Sequence, residues 1–227
     1  MENTKKSFMI ALILLVISIV FTILVTKVDV KPIGPVNPET NVISEVGFAS
    51  INGAFHDKLG FNDTFYTVSK YAGYLALVLV VFYAFTGLIE LLQKKSLKEV
   101  NKVLYALAAF YVCVAVVYVL FEVMIINYRP VIMDGELEAS FPSSHTLLAL
   151  CVCGSSLIVS KYIVKKENFR KLLNIGSWIV MILVVVTRVL SGVHWITDIC
   201  GGILISLFML ETLSGVVKCI AAKKQEN

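Results

Sequence analysis

Six long stretches of apolar residues limit most strongly how this chain can fold. A helix needs about 20 apolar residues to cross the hydrocarbon core of a bilayer. Stretches of roughly this kind lie at approximately 8–26, 70–92, 100–123, 144–162, 173–190 and 196–217. Only 16% of the 227 residues are charged, whereas an ordinary soluble domain has about 25%. We therefore predict an all-α integral membrane bundle of six helices, forming one domain over residues 1–227.

The distribution of basic residues predicts how this bundle is oriented. Lys and Arg accumulate in the cytoplasmic loops of membrane proteins. With six spans, the N-terminus, the 2–3 loop, the 4–5 loop and the C-terminus lie on one side. That side carries most of the basic residues, namely Lys5, Lys6, Lys94, Lys95, Lys98, Lys102, Lys161, Lys165, Lys166, Arg170, Lys171, Lys218, Lys223 and Lys224. We therefore predict that both termini are cytoplasmic and that the other loops face outward.

The longest outward loop, between spans one and two, has two parts. Residues 31–38 contain three prolines, which exclude a regular helix there. Residues 44–58 carry apolar side chains at helical spacing, among them Phe48, Ile51 and Phe55. This second pattern predicts a short helix lying on the outer membrane surface.

Strongly polar side chains gather at the outer ends of the predicted spans. One cluster, 127–130, follows span three; a second, 141–145, begins span four; a third, 187–198, joins spans five and six. Ionisable residues at membrane depth are costly and therefore indicate function. The predicted topology brings five of them to one face: Arg129, His145, Arg188, His194 and Asp198.

These residue types suit phosphoryl transfer. His194 and Asp198 are four residues apart and share a helix face, so the carboxylate can orient the imidazole as a nucleophile. His145 lies at a helix start, where backbone N–H groups attract anions, and can act there as a general acid. Arg129 and Arg188 carry guanidinium groups that match phosphate oxygens.

Three sequence blocks resemble those of the type 2 phosphatidic acid phosphatase superfamily. Its pattern reads K-x6-R-P, then P-S-G-H, then S-R-x5-H-x3-D. The corresponding blocks here are Glu122-x6-Arg129-Pro130, Pro142-Ser143-Ser144-His145 and Thr187-Arg188-x5-His194-x3-Asp198. All three occur in order over residues 122–198 and fall on one predicted face.

The resemblance implies a metal-independent phosphatase that needs no cofactor. His194 would attack phosphorus and become a phosphohistidine, Asp198 would orient His194, and His145 would protonate the leaving alkoxide and then activate water. The side chains expected to hold the phosphate are Arg129, Arg188, Ser143 and Ser144.

The implied substrates are phospholipid or polyprenyl phosphates, presented at the outer face of a bacterial plasma membrane. Candidates are phosphatidic acid, phosphatidylglycerophosphate and a polyprenyl pyrophosphate such as undecaprenyl pyrophosphate. The chain shows no pattern for nucleic-acid binding, and no obligate protein partner is expected.

The chain departs from the family pattern at the phosphate-binding end. Ser144 replaces the glycine of the second block and adds a hydroxyl group. Glu122 replaces the lysine of the first block, which reverses a charge. Glu122 could face away from the site or pair with an arginine there. Lys70 or Lys58 could supply the missing positive charge.

Two other functions fit the same residues. A phosphotransferase would pass the phosphate of the phosphohistidine to an acceptor other than water. A non-catalytic binder or transporter of lipid phosphates would use the site without hydrolysis, and Glu122 in place of the lysine keeps that alternative open.

Overall fold

The computed structural model describes residues 2–38, 40–133 and 135–226. These ranges contain a β-hairpin, a short 3₁₀ turn at Leu97–Glu99 and seven α-helices. The strands are β1 (Lys31–Val36) and β2 (Ile43–Val46), paired antiparallel. The helices are α1 (Glu2–Val25), α2 (Ala49–Leu59), α3 (Asp63–Lys94), α4 (Lys102–Val123), α5 (Ser144–Ile163), α6 (Glu167–Ser191) and α7 (Ile196–Glu226).

Six of these helices, all except α2, are long and apolar enough to cross a membrane. The predicted all-α six-span architecture is therefore confirmed, and several helices extend beyond the predicted spans. α3 begins at Asp63 rather than near residue 70, because the Asn62 side chain accepts a hydrogen bond from the Phe65 N–H at 3.1 Å and caps the helix. Polar first turns of this kind lie outside the apolar runs on which the prediction was based.

The centre of the bundle is α5, which is the most deeply buried span and packs against α3, α4, α6 and α7. Two glycines of α7 allow its first turns to approach the start of α5. A side chain at Gly201 would collide with the Phe141 ring, and one at Gly202 would press on Thr146. This close approach brings the second and third sequence blocks together.

The first loop forms a compact unit beside the start of α7. The prolines exclude a helix over 31–38 as predicted, and β1 occupies most of that stretch; the hairpin itself was not predicted. The expected surface helix exists as α2, beginning at Ala49 because Ile43–Val46 pairs with β1. Asn52 of α2 donates hydrogen bonds to the Thr197 hydroxyl at 3.0 Å and to the Gly47 carbonyl at 2.8 Å.

The antiparallel spans bring the polar clusters to one end of the bundle. At this end the start of α3 meets the end of α6, where the Asn62 N–H donates to the Ser191 carbonyl at 2.9 Å. Gly192 has a φ of +63° there, and a Cβ would collide with the Gly60 carbonyl. At the other end, Asn101 at the start of α4 donates to the Tyr162 carbonyl at the end of α5 at 3.0 Å.

Candidate active site

His194 lies in the turn between α6 and α7, and its side chain is buried. The residue is only 6% exposed, and among the described residues its buried Nε2 has no hydrogen-bond partner. Burial and the nearby charges of Arg188 and Arg129 lower the pKa of His194 well below its usual value. The imidazole is therefore neutral near pH 7, and a neutral imidazole keeps one nitrogen lone pair.

The predicted pairing of His194 with Asp198 is indirect. The His194 Nδ1 and Asp198 Oδ2 atoms are 3.7 Å apart, which is too far for a good hydrogen bond. The Ser140 hydroxyl fills the gap, lying 3.1 Å from His194 Nδ1 and donating to Asp198 Oδ2. Sequence reasoning did not assign Ser140 to the site.

Asp198 is fully buried, and its carboxylate accepts three hydrogen bonds. Besides Ser140, it accepts hydrogen bonds from the Trp195 backbone N–H at 2.9 Å and from Asn127 Nδ2 at 3.3 Å. The Trp195 indole in turn donates to the Tyr128 carbonyl at 2.7 Å. The loop before α5 is thereby fastened to the first turn of α7.

Arg188, near the end of α6, fixes the orientation of His145. Its Nη2 donates to His145 Nδ1 at 2.7 Å, and its Nη1 donates to the Ser69 hydroxyl of α3 at 3.2 Å. The guanidinium is fully buried and lies 5.5 Å from the centre of the Tyr66 ring. Because an arginine can only donate, His145 Nδ1 must accept, and the ring proton is then on Nε2. Ser69 and Tyr66 were also not assigned to the site from the sequence.

Arg129 lies in the loop between α4 and α5 and faces the same site. Its Nη2 is 2.9 Å from a Glu138 carboxylate oxygen, and its backbone N–H donates to the Glu138 carbonyl at 3.1 Å. Its buried Nε has no hydrogen-bond partner among the described residues. The charges of Arg129 and Arg188 both act on His194 and on His145, so these four side chains come together.

Ser143 and Ser144 begin α5 and differ in exposure. Ser143 is fully buried; its N–H donates to the Asp198 carbonyl at 2.9 Å, and its hydroxyl accepts from Thr146 at 3.1 Å. Ser144 is half-buried and lines a cleft together with Glu122. The second block is thus tied through the main chain to the third.

Glu122 and Lys70 both lie near the start of α5. Glu122 is exposed, and within the described part of the chain its carboxylate forms no ion pair with Arg129 or Arg188. Lys70 follows Ser69 on α3 and is exposed. Its charge acts on His145 together with those of Arg188 and Arg129, which places a third cation beside the proposed general acid.

Comparison with known proteins finds a family model, a curated relative and a solved structure that this chain resembles. Residues 122–218 match the family model described as "PAP2 superfamily". Phosphatidylglycerophosphatase B of Bacillus subtilis (strain 168) is 28% identical over 104 residues, which are 44% of this chain and 49% of that protein. The alignment therefore spans about half the length of this relative.

A solved structure matches over nearly the full chain. It is the crystal structure of the first transmembrane PAP2 type phosphatidylglycerolphosphate phosphatase from Bacillus subtilis, with a TM-score of 0.59 and 18% identity, covering 96% of this chain and 97% of the other. The fold is thus shared with a transmembrane protein of known structure. All three sequence blocks lie within residues 122–218, the segment that matches the family model and makes up less than half of the chain.

Proposed function

We propose that this protein hydrolyses a lipid phosphate or lipid pyrophosphate through a phosphohistidine on His194. The observation that carries the proposal is the state of His194: buried, neutral, and with an unpartnered Nε2 close to two arginines. A nitrogen lone pair surrounded by guanidinium groups is suited to attack a phosphorus atom whose oxygens those groups hold.

In the first step, the His194 Nε2 lone pair forms a bond to phosphorus while the bond to the leaving oxygen breaks. Arg188 and Arg129 stabilise the negative charge on the phosphoryl oxygens. To act as the general acid, His145 first takes up a second proton at Nδ1, from a phosphate that binds as its monoanion, in place of the hydrogen bond from Arg188. Its Nε2 proton then passes to the leaving oxygen, which leaves His145 neutral. The lipid alcohol, or the lipid monophosphate if the substrate is a pyrophosphate, then departs.

In the second step, the neutral His145 takes a proton from water, and the resulting hydroxide attacks phosphorus. The P–N bond breaks, the electron pair returns to His194, and inorganic phosphate is released. His145 passes its second proton to the departing phosphate, so both histidines recover their starting states. The N–H groups at the start of α5, around Ser143 and Ser144, lie at a helix N-terminus and would contribute to phosphate binding.

The membrane setting supports a lipid substrate. The site lies at the ends of apolar spans, where a lipid headgroup meets water. The relative named above is a phosphatidylglycerophosphatase; phosphatidic acid and a polyprenyl pyrophosphate are further candidates. The excess of Lys and Arg at the opposite end favours an outward-facing site in the plasma membrane, with both termini cytoplasmic.

The proposal is tested with purified protein in detergent, a panel of lipid phosphates and pyrophosphates, and a chelator. We expect inorganic phosphate from at least one lipid with water as the sole acceptor. Binding without phosphate release would support a non-catalytic binder. Phosphate appearing only on an added alcohol would support a transferase, and loss of activity in the chelator would contradict the metal-independent mechanism.

We further propose that Lys70 supplies the positive charge that the family pattern places at position 122. Replacing Lys70 with alanine should raise KM about tenfold, because a charge-assisted contact to phosphate contributes about 1.5–3 kcal/mol. The matched control is Lys58→Ala on α2, which should change KM less than twofold, as an exposed charge outside a specific contact contributes about 1 kcal/mol or less. Equal effects of the two substitutions would remove Lys70 from the site.

A further inference from the structure

Ser140 is held in a defined position between two sequence blocks. Its N–H donates to the Asn127 carbonyl at 2.9 Å, and the preceding residue, Ala139, pairs with Tyr128 in an isolated β-bridge. The next residue, Phe141, is 2% exposed and packs against Gly201 of α7. Ser140 itself is 1% exposed, so its hydroxyl has little freedom to turn away.

The Ser140 hydroxyl hydrogen-bonds to both side chains of the third block. It lies 3.1 Å from His194 Nδ1 and also hydrogen-bonds to Asp198 Oδ2, whereas those two atoms are 3.7 Å apart. A hydroxyl has one proton. Because that proton goes to Asp198, the serine oxygen is left to accept from His194 Nδ1–H.

We infer that Ser140 is a positioning residue that sets the tautomer of His194. With the ring proton held on Nδ1 by Ser140, the lone pair is confined to Nε2, the atom that is buried and unpartnered. Asp198 acts through this hydroxyl and keeps its own orientation through Trp195 and Asn127. The inference rests on the proposed function, since a fixed tautomer matters only if His194 is the nucleophile.

The inference predicts that Ser140→Ala lowers kcat and leaves KM nearly unchanged. Without the hydroxyl, the Nδ1–H tautomer loses its side-chain acceptor, and the Nε2–H form, which cannot attack phosphorus, becomes populated. We expect kcat to fall about 10- to 100-fold, the scale set by misplacing a reacting group. KM should change less than about twofold, because the phosphate-binding arginines remain in place.

The tautomer can be measured directly because the chain has only three histidines. Protein labelled with ¹⁵N in the imidazole rings gives few signals, and the His194 signals are assigned by their loss in His194→Gln. In the native protein we expect the proton on Nδ1. In Ser140→Ala we expect a mixture of the two tautomers.

Ser177→Ala is the control, since Ser177 is also buried but donates only to the Leu173 carbonyl of its own helix. It should leave kcat and the His194 signals unchanged. If Ser140→Ala does not fold, Ser140→Cys has nearly the same shape but a much weaker donor and acceptor. A folded variant that retains the Nδ1–H tautomer would overturn the inference, whatever its kcat.

The outcomes also separate this inference from the proposed function. If the native protein releases no phosphate from any lipid, the proposed function fails, but the ring signals still show whether Ser140 sets the tautomer. If the native protein is active and Ser140→Ala keeps both its kcat and the Nδ1–H tautomer, only the role of Ser140 is lost.

Discussion

Replacing His194 with alanine is expected to lower phosphate release at least about 10⁴-fold, to the background of the assay. The substitution removes the nitrogen that forms the covalent bond to phosphorus, and the described part of the site offers no other unpartnered buried imidazole nitrogen close to both arginines. Phosphate release in detergent measures the loss. Thermal unfolding of the variant shows whether the protein is still folded.

His145→Ala provides the matched comparison, because it removes the other imidazole of the site while keeping the nucleophile. A substrate with a good leaving group, such as an aryl phosphate, needs little protonation. With ³²P-labelled substrate of that kind, His145→Ala should accumulate an acid-labile, base-stable phosphoprotein. His194→Ala should show none. Labelled protein in His194→Ala would place the nucleophile elsewhere.

Replacing Arg188 with alanine is expected to lower kcat/KM about 10³-fold, since it removes two functions at once. The guanidinium holds the His145 ring at 2.7 Å, and its charge acts on His194. One charge-assisted contact to the transition state contributes about 10²–10³ in rate, and disordering the general acid adds to this. Arg188→Lys should recover part of the loss, because lysine retains the charge without the planar fork.

Arg170→Ala is the control for this prediction, since Arg170 lies on the same helix, α6, at its opposite end. It should keep kcat/KM within about twofold, as expected for a side chain away from any special feature. If Arg188→Lys behaves like the native protein, the charge alone suffices. The bidentate arrangement with Ser69 and His145 would then have no part in catalysis.

The six spans could be predicted because they depend on local composition. A run of about 20 apolar residues is sufficient to define a transmembrane helix, so all six were found, although several helices extend beyond the predicted spans. Helix ends depend on single contacts, such as the Asn62 side chain that caps α3. The hairpin of β1 and β2 was missed because it depends on pairing between two short segments, one of which contains prolines.

The candidate site could be predicted in part. His194 and Asp198 are four residues apart on the chain. That spacing was enough to assign both residues to the candidate site from the sequence. Their actual connection runs through Ser140, which is 58 positions away from Asp198. Glu122 illustrates the same limit, since its pairing with an arginine could not be decided from spacing, and the structure places it exposed in a cleft beside Ser144.

The sequence alone thus determined that a six-helix membrane bundle carries a polar face at one end. The length of each apolar run and the charges of each loop can be read from short stretches of the chain, without knowing how the helices pack. The tertiary structure decided which atoms of that face meet. Arg188 reaches Ser69 across 119 positions and His145 across 43, and Ser140 separates His194 from Asp198. Such contacts exist only after the spans pack, since close approach at Gly201 and Gly202 brings the blocks within hydrogen-bonding distance.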